Sequence, residues 1–215
     1  MKLALIIVSA VSLITAVLFF LTSQPEEPVQ VELPWQVTVH DPLHSEVFGV
    51  VLNQTTLTQA RERFGQLDGI ALYRRKAGTF SLEAYFGKVS IGPFGARIIA
   101  TLDASQQELE QMLESTIKRV PTEDGSLKWT LSQDVQQEQG GRKIKSLTYL
   151  PSYRGMDQEF IRERFGYPVK REVVDETTEL WFYPEPGVRI LVDNEGNELF
   201  EYLAPTDFKL SYGVN

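Results

Sequence analysis

Ala60-Arg61-Glu62-Arg63-Phe64-Gly65 returns later in the chain as Ile161-Arg162-Glu163-Arg164-Phe165-Gly166, with Arg-Glu-Arg-Phe-Gly identical in both. Gly95-Ala96-Arg97-Ile98-Ile99-Ala100 returns, in the same order, as Gly187-Val188-Arg189-Ile190-Leu191-Val192. Two collinear matches point to an internal duplication. The first copy has the longer hairpin, Gly87 to Gly95, where the second has Pro184-Glu185-Pro186-Gly187.

Each copy reads as a short helix followed by an antiparallel meander. In the first, Thr56 and Gln59 form a capping box, Leu57, Ala60 and Phe64 share a face, and Gly65 ends the helix. In the second, Asp157 is the cap, Ile161 and Phe165 face inward, and Gly166 with Pro168 stops the helix. Strands rich in β-branched and aromatic residues are expected at 70–76, 80–91 and 96–102. In the second copy they are expected at 170–174, 179–183, 188–192 and 199–203. Between the copies, Ser105 to Glu108 is a capping box. Leu109, Met112, Leu113 and Ile117 form an apolar stripe, and Pro121 closes the expected helix. A strand at 144–150 leads into the second copy. A helix this short cannot bury its face alone, so each copy lays its helix on its own sheet.

Leu3 to Leu21 is an uncharged apolar run, long enough as a helix to span about 29 Å. Lys2 before it and Glu26 and Glu27 after it place the N-terminus inside and the remainder outside. A cleaved signal peptide would have a shorter core and a small-x-small cleavage site, which Phe19-Phe20-Leu21-Thr22-Ser23 does not offer. The expected fold class is therefore α+β: an N-terminal transmembrane helix followed by two tandem helix-plus-antiparallel-sheet modules. The division is an anchor at 1–23, a Pro/Glu-rich spacer at 24–34, and a first module with added helix at 35–120. A connector at 121–150 and a second module with tail at 151–215 complete it.

The second copy resembles the BamE (SmpA/OmlA) family. The likeness lies in Gly155-Met156-Asp157 at the helix start and Gly166-Tyr167-Pro168 at its exit. It continues in the aromatic strand Leu180-Trp181-Phe182-Tyr183 and the Asp193 to Gly196 turn. The tandem arrangement is similar to the doubled module of β-lactamase inhibitor proteins. The resemblance implies a small α/β module that works by contact with other proteins of the envelope, and no functional residue is carried over from it.

The 215 residues hold 21 Lys+Arg against 29 Asp+Glu, a formal charge of −8, and no Cys. An acidic chain lacks the cationic surplus that nucleic-acid affinity rests on. Without Cys there are no disulfides, thiolate metal sites or thiol nucleophiles. His40-Asp41-Pro42-Leu43-His44 has metal-ligand spacing only as a helix, which Pro42 opposes; a loop site from His40, His44, Asp41 or Glu46 is the remaining metal reading, and surface packing is preferred. Gly87-Lys88-Val89-Ser90-Ile91-Gly92 misses a nucleophile elbow by one position, and Gly92-Pro93-Phe94-Gly95 reads as a hairpin turn.

No catalytic residue, cofactor or metal is therefore assigned, and the chain is not expected to be an enzyme. The candidate partner-binding residues are Arg61, Arg63, Arg162 and Arg164, suited to forked contacts with carboxylates, and the aromatic cluster Trp181, Phe182 and Tyr183. Boundary packing is the competing account of the four Arg. The expected function is a membrane-anchored, non-catalytic adaptor, assembly or regulatory subunit acting on another envelope or membrane protein. The alternative is an inhibitor or ligand-binding module for an envelope enzyme or cell-wall component. The expected location is the inner (cytoplasmic) membrane, anchored through residues 3–21, with the C-terminal domain in the periplasm.

Overall fold

The computed structural model describes residues 32–74, 78–122, 125–196 and 198–211. The expected anchor helix at 3–21 lies outside them. Among the described residues no helix is long and apolar enough to cross a membrane.

The strands are β1 (Thr38–Asp41), β2 (His44–Val47), β3 (Val50–Val51), β4 (Gly69–Arg74), β5 (Phe80–Ile91), β6 (Phe94–Leu102) and β7 (Thr116–Pro121). They continue as β8 (Leu127–Leu131), β9 (Ile144–Pro151), β10 (Lys170–Val173), β11 (Thr178–Tyr183), β12 (Val188–Asp193) and β13 (Leu199–Leu203). Four helices intervene: α1 (Leu57–Phe64), α2 (Gln106–Met112), α3 (Gln133–Glu138) and α4 (Gln158–Phe165).

Two separate helix-plus-sheet modules do not form. A single ten-stranded sheet runs β10-β11-β12-β13-β9-β6-β5-β4-β8-β7, and every neighbouring pair is antiparallel. The fold class is thus corrected from two tandem α+β modules to one mostly β architecture. The physical reason lies at β9 and β13, where Leu147 stands opposite Tyr202 and Thr148 opposite Glu201. Two separate sheets would leave both strands as open edges with unpaired backbone groups; joining satisfies those groups and buries Leu147, Tyr149, Phe200 and Tyr202 on the helix side of the seam. Residues 127–131 and 144–150, inside the span assigned to a connector, belong to integral strands of this sheet.

The repeated pentapeptide makes equivalent local structure twice. Thr56 and Asp157 accept hydrogen bonds from the backbone N–H groups of Gln59 and Phe160. Gly65 (φ 90°) and Gly166 (φ 78°) end their helices. Phe64 packs on Phe86 at 5.2 Å, and Phe165 on Tyr183 at 5.4 Å.

The expected third helix is shorter than its stripe. It ends at Met112, a 3-10 turn follows, and Thr116–Pro121 becomes β7. Pairing of β7 with β8 draws the chain out of the helix and leaves Ile117 70% exposed rather than in an apolar face.

All four helices pack into the same core as one face of the sheet. Leu57, Ala60, Leu109 and Ile161 share it with Leu82, Ile98, Leu147 and Ile190, and Val135 of α3 packs against it. A small sheet, β1-β2-β3, adds to this side. Its turn, Phe48-Gly49, has φ values of 53° and 69°, a pair matched to tight hairpins. Phe48 tolerates this backbone because its ring fills the space over the seam, 5.4 Å from Tyr149 and 5.6 Å from Tyr202. Gly187 is required at the turn between β11 and β12. Its φ is +71°, and a Cβ there would fall 2.0 Å from the Leu203 carbonyl oxygen.

Candidate functional site

The four Arg of the repeat serve mostly to hold the chain to itself. Arg63 donates from Nε to the Phe48 carbonyl at 2.9 Å and pairs with Glu32. Arg164 lies over Trp35 at 5.0 Å and over Phe160 at 5.3 Å. Arg162 stands 6.0 Å from the Trp181 ring. Arg61 is exposed at the end of α1. These geometries match boundary packing, in which a guanidinium covers an aromatic face or a peptide carbonyl.

The aromatic cluster is not on the surface. Trp181 and Phe182 are fully buried and Tyr183 nearly so. Trp181 donates from Nε1 to Glu179 at 2.7 Å. That bond, with help from Arg171, holds the Glu179 carboxyl below the usual range. Tyr183 donates to the Gly166 carbonyl at 3.2 Å, and burial pushes its phenol up to about 12. Phe182 faces the opposite side of the sheet, as strand alternation requires. There Phe208 of the tail packs on it at 6.4 Å, and the Leu210 carbonyl accepts from Lys170 at 2.7 Å.

The two His lie on the β1-β2 hairpin in separate pairs. His40 Nε2 meets Glu46 at 2.7 Å and His44 Nδ1 meets Asp41 at 2.8 Å. The His44 bond, followed by the Leu43 N–H, holds the Asp41 carboxyl low. Among the described residues no group of three or more His, Asp or Glu is placed to hold a metal ion.

Two clefts indent the helix side. One, of about 430 Å³, is lined by Gln54, Thr55, Gln59 and Arg63; the other, of about 540 Å³, by Glu108, Met112, Val135 and Arg142. Both are wide open. Glu108 is held at about 2 by the Ser105 N–H and hydroxyl and then by Arg142, which makes it an ionised helix cap and not a proton donor.

The side of the sheet turned away from the helices is different in kind. Ala84, Ile98, Leu147, Tyr149 and Ile190 point to the helices and are completely buried. Their alternates Tyr85, Ile99, Thr148, Leu150 and Leu191 are only half-buried and face the other way. Register aligns them into rows. Tyr85, Ile99, Thr148, Glu201 and Arg189 follow one another across five strands. Beside them, Leu150 stands opposite Arg97, and Arg97 opposite Lys88.

Around this apolar centre lie tyrosines and cations. Lys128 Nζ sits 5.7 Å from the Tyr73 ring and 5.0 Å from the Tyr85 ring. Tyr85 donates to Glu83 at 2.7 Å, and burial followed by the Glu83 charge keeps its phenol protonated. Across β6, β5, β4, β8 and β7, the described residues on this face include the cations Lys88, Arg97, Lys118 and Lys128; the acid among them, Glu83, is buried and bonded to Ser81 and Tyr85. Arg189 and Glu201 pair at 2.9 Å further along. The face is thus cationic and tyrosine-bearing on a chain whose formal charge is −8.

Comparison with known proteins adds no relative. The chain matches no family model, no curated protein and no solved structure.

The sequence reading did not find this face, although part of its signal was present. Tyr73 and Tyr85 alternate with the core residues Leu72, Ala84 and Phe86, so their outward direction follows from strand period alone. Their assembly with Arg97 and Lys128 depends on strand order.

Proposed function

We propose that this chain is a non-catalytic docking protein of the cell envelope, acting as an adaptor, assembly or regulatory subunit. In this reading residues 3–21 anchor it in the inner membrane, and the folded region works in the periplasm. The partner is a membrane-associated protein that offers an acidic surface. The carrying observation is the sheet face turned away from the helices: a half-buried apolar centre at Ile99, Leu150 and Leu191, bordered by Tyr73, Tyr85, Arg97 and Lys128. Interfaces concentrate their energy in such Tyr and Arg anchors around a dry centre. Cations on a face of an otherwise acidic protein also orient an acidic partner as it approaches.

The test is photo-crosslinking of the full-length chain in native membranes, with the probe placed in turn at Tyr73, Ile99 and Arg164. Discrete capture of one partner is expected from Tyr73 and Ile99 and not from Arg164. Combining Arg97→Glu with Lys128→Glu is expected to reduce that capture by at least about tenfold, as reversal of two interfacial charges implies. Capture from Arg164 alone, or capture indifferent to the charge reversal, would overturn the proposal.

A further inference from the structure

The sheet ends at β10 and β7, and the two edges differ in what they can accept. β7 reads Thr-Ile-Lys-Arg-Val-Pro, with Lys118 and Arg119 and no acid, and ends in Pro121. Facing a copy of itself it meets like charge, a common protection of sheet edges. β10 reads Lys-Arg-Glu-Val and carries both signs. The apolar residues along it are among the most exposed of the described residues: Tyr167 at 86%, Val169 at 68%, Val173 at 78% and Val174 at 57%.

We propose that β10 pairs with β10 of a second copy, antiparallel and about a two-fold axis through Arg171, joining two ten-stranded sheets into one. The choice of occupant follows from self-complementarity. An antiparallel pair places side chains of the same face opposite each other, so only registers in which a residue meets one of its own parity keep the two sheets continuous. Centred on Arg171, Lys170 meets the partner's Glu172 twice, and Val169 meets the partner's Val173 twice. Centred on Lys170, the two Lys170 oppose each other and Glu172 meets Pro168. Centred on Glu172, the two acids oppose each other. Opposite charges and apolar pairs across strands stabilise, and like charges directly opposite destabilise.

Arg171 tolerates its own symmetry mate, because its guanidinium is turned back onto Glu179, with Nε and Nη2 at 2.9 and 2.7 Å from the carboxylate, and over Trp181 at 5.1 Å. Lys170 and Glu172 already pair along their own strand at 2.5 Å, and the two-fold axis would build two such pairs into a charge quartet. A β10-to-β7 contact would set Lys118 and Arg119 against Lys170 and Arg171, so the closed dimer is favoured over an open chain of sheets.

The chain contains no Cys, so single cysteines report pairing without background. In the full-length protein purified in detergent and oxidised with copper phenanthroline, Arg171→Cys is expected to give a disulfide dimer by itself. Paired strands hold opposite Cα atoms at roughly 4.5–5.5 Å, within disulfide reach. Val169→Cys and Val173→Cys are expected to give a mixed dimer when co-expressed with different tags, and little when expressed alone. Adding Lys170→Glu to these variants should abolish crosslinking, and adding Glu172→Lys as well should restore it. Absence of dimer from both Arg171→Cys and the co-expressed pair would overturn the proposal. So would crosslinking of Val120→Cys on β7 at equal yield, or charge reversal without effect.

Discussion

Arg63 and Arg164 hold the same position in the two copies of the repeated pentapeptide, and both reach the same N-terminal segment. Arg63 bonds the Phe48 carbonyl and Glu32, and Arg164 covers Trp35. Between them Tyr202 donates to the Pro34 carbonyl at 2.8 Å. Residues 32–48 are therefore clasped from both copies. Arg63→Ala and Arg164→Ala are each expected to destabilise this segment by about 1 kcal/mol, in the range of a single exposed charge-assisted bond or cation–π contact. The double variant is expected to be non-additive, because both residues act on one segment. Hydrogen exchange checks this: protection should fall at 33–48 while β5 and β12 stay unchanged.

A second expectation follows from the seam. Leu147 is fully buried, with Ala100 on one side and Tyr202 on the other. Leu147→Ala should cost about 2–5 kcal/mol, the usual range for truncating a buried leucine. The loss should be felt equally in both halves. Trp129 on β8 and Trp181 on β11 lie on opposite sides of the seam. Variants keeping one Trp or the other should give coincident denaturant transitions in the parent and in the Leu147→Ala background. Two separated transitions would show that the halves unfold independently.

Glu198 gives the fold a pH dependence of definite sign. It is 5% exposed, and its Oε2 has no hydrogen-bond partner among the described residues. Burial, with Asp157 and Asp193 nearby, pushes its carboxyl above the ordinary range. A folded-state value above the unfolded one means the native state binds the extra proton. Stability from this group is then greatest at low pH and falls as pH rises from the ordinary Glu range through the raised value. Glu198→Gln removes that loss. The variant should melt higher than the parent at about pH 8 and the gain should shrink toward about pH 4, around the ordinary Glu value. Thermal melts across that range check it, and a gain that grows toward acid would contradict the sign.

Much of the local structure was legible, because its causes are local. Thr56, Gln59 and Asp157 specify helix starts through hydrogen bonds only three residues long, and Gly65 and Gly166 specify the ends. Strand period likewise sets Phe182 on the side opposite Trp181 and Tyr183. The misreadings share one cause, which is pairing between distant segments. Ile117 fits a helical stripe as well as a strand, and its partner strand β8 decided the matter. Trp181, Phe182 and Tyr183 looked like a docking patch because nothing nearby in sequence announces Phe208 or α4 as their covers. The sheet face with Tyr85, Ile99 and Arg97 was hidden for the same reason. Its full row, which runs on from Tyr85 and Ile99 to Thr148, Glu201 and Arg189, draws on strands that the β6–β9 and β9–β13 pairings bring side by side.

The position of β9 also bears on how the protein is made. Its residues, 144–151, sit between strands at 94–102 and 199–203, so the centre of the sheet closes only after residue 203 has been synthesised. Until then the nascent chain leaves one edge of β9 unpaired and the ring of Phe48 without Tyr202 beside it. Such long-range closure is slow and leaves the chain sticky while it waits. A chain built this way gains from being kept extended until its last strand has left the ribosome.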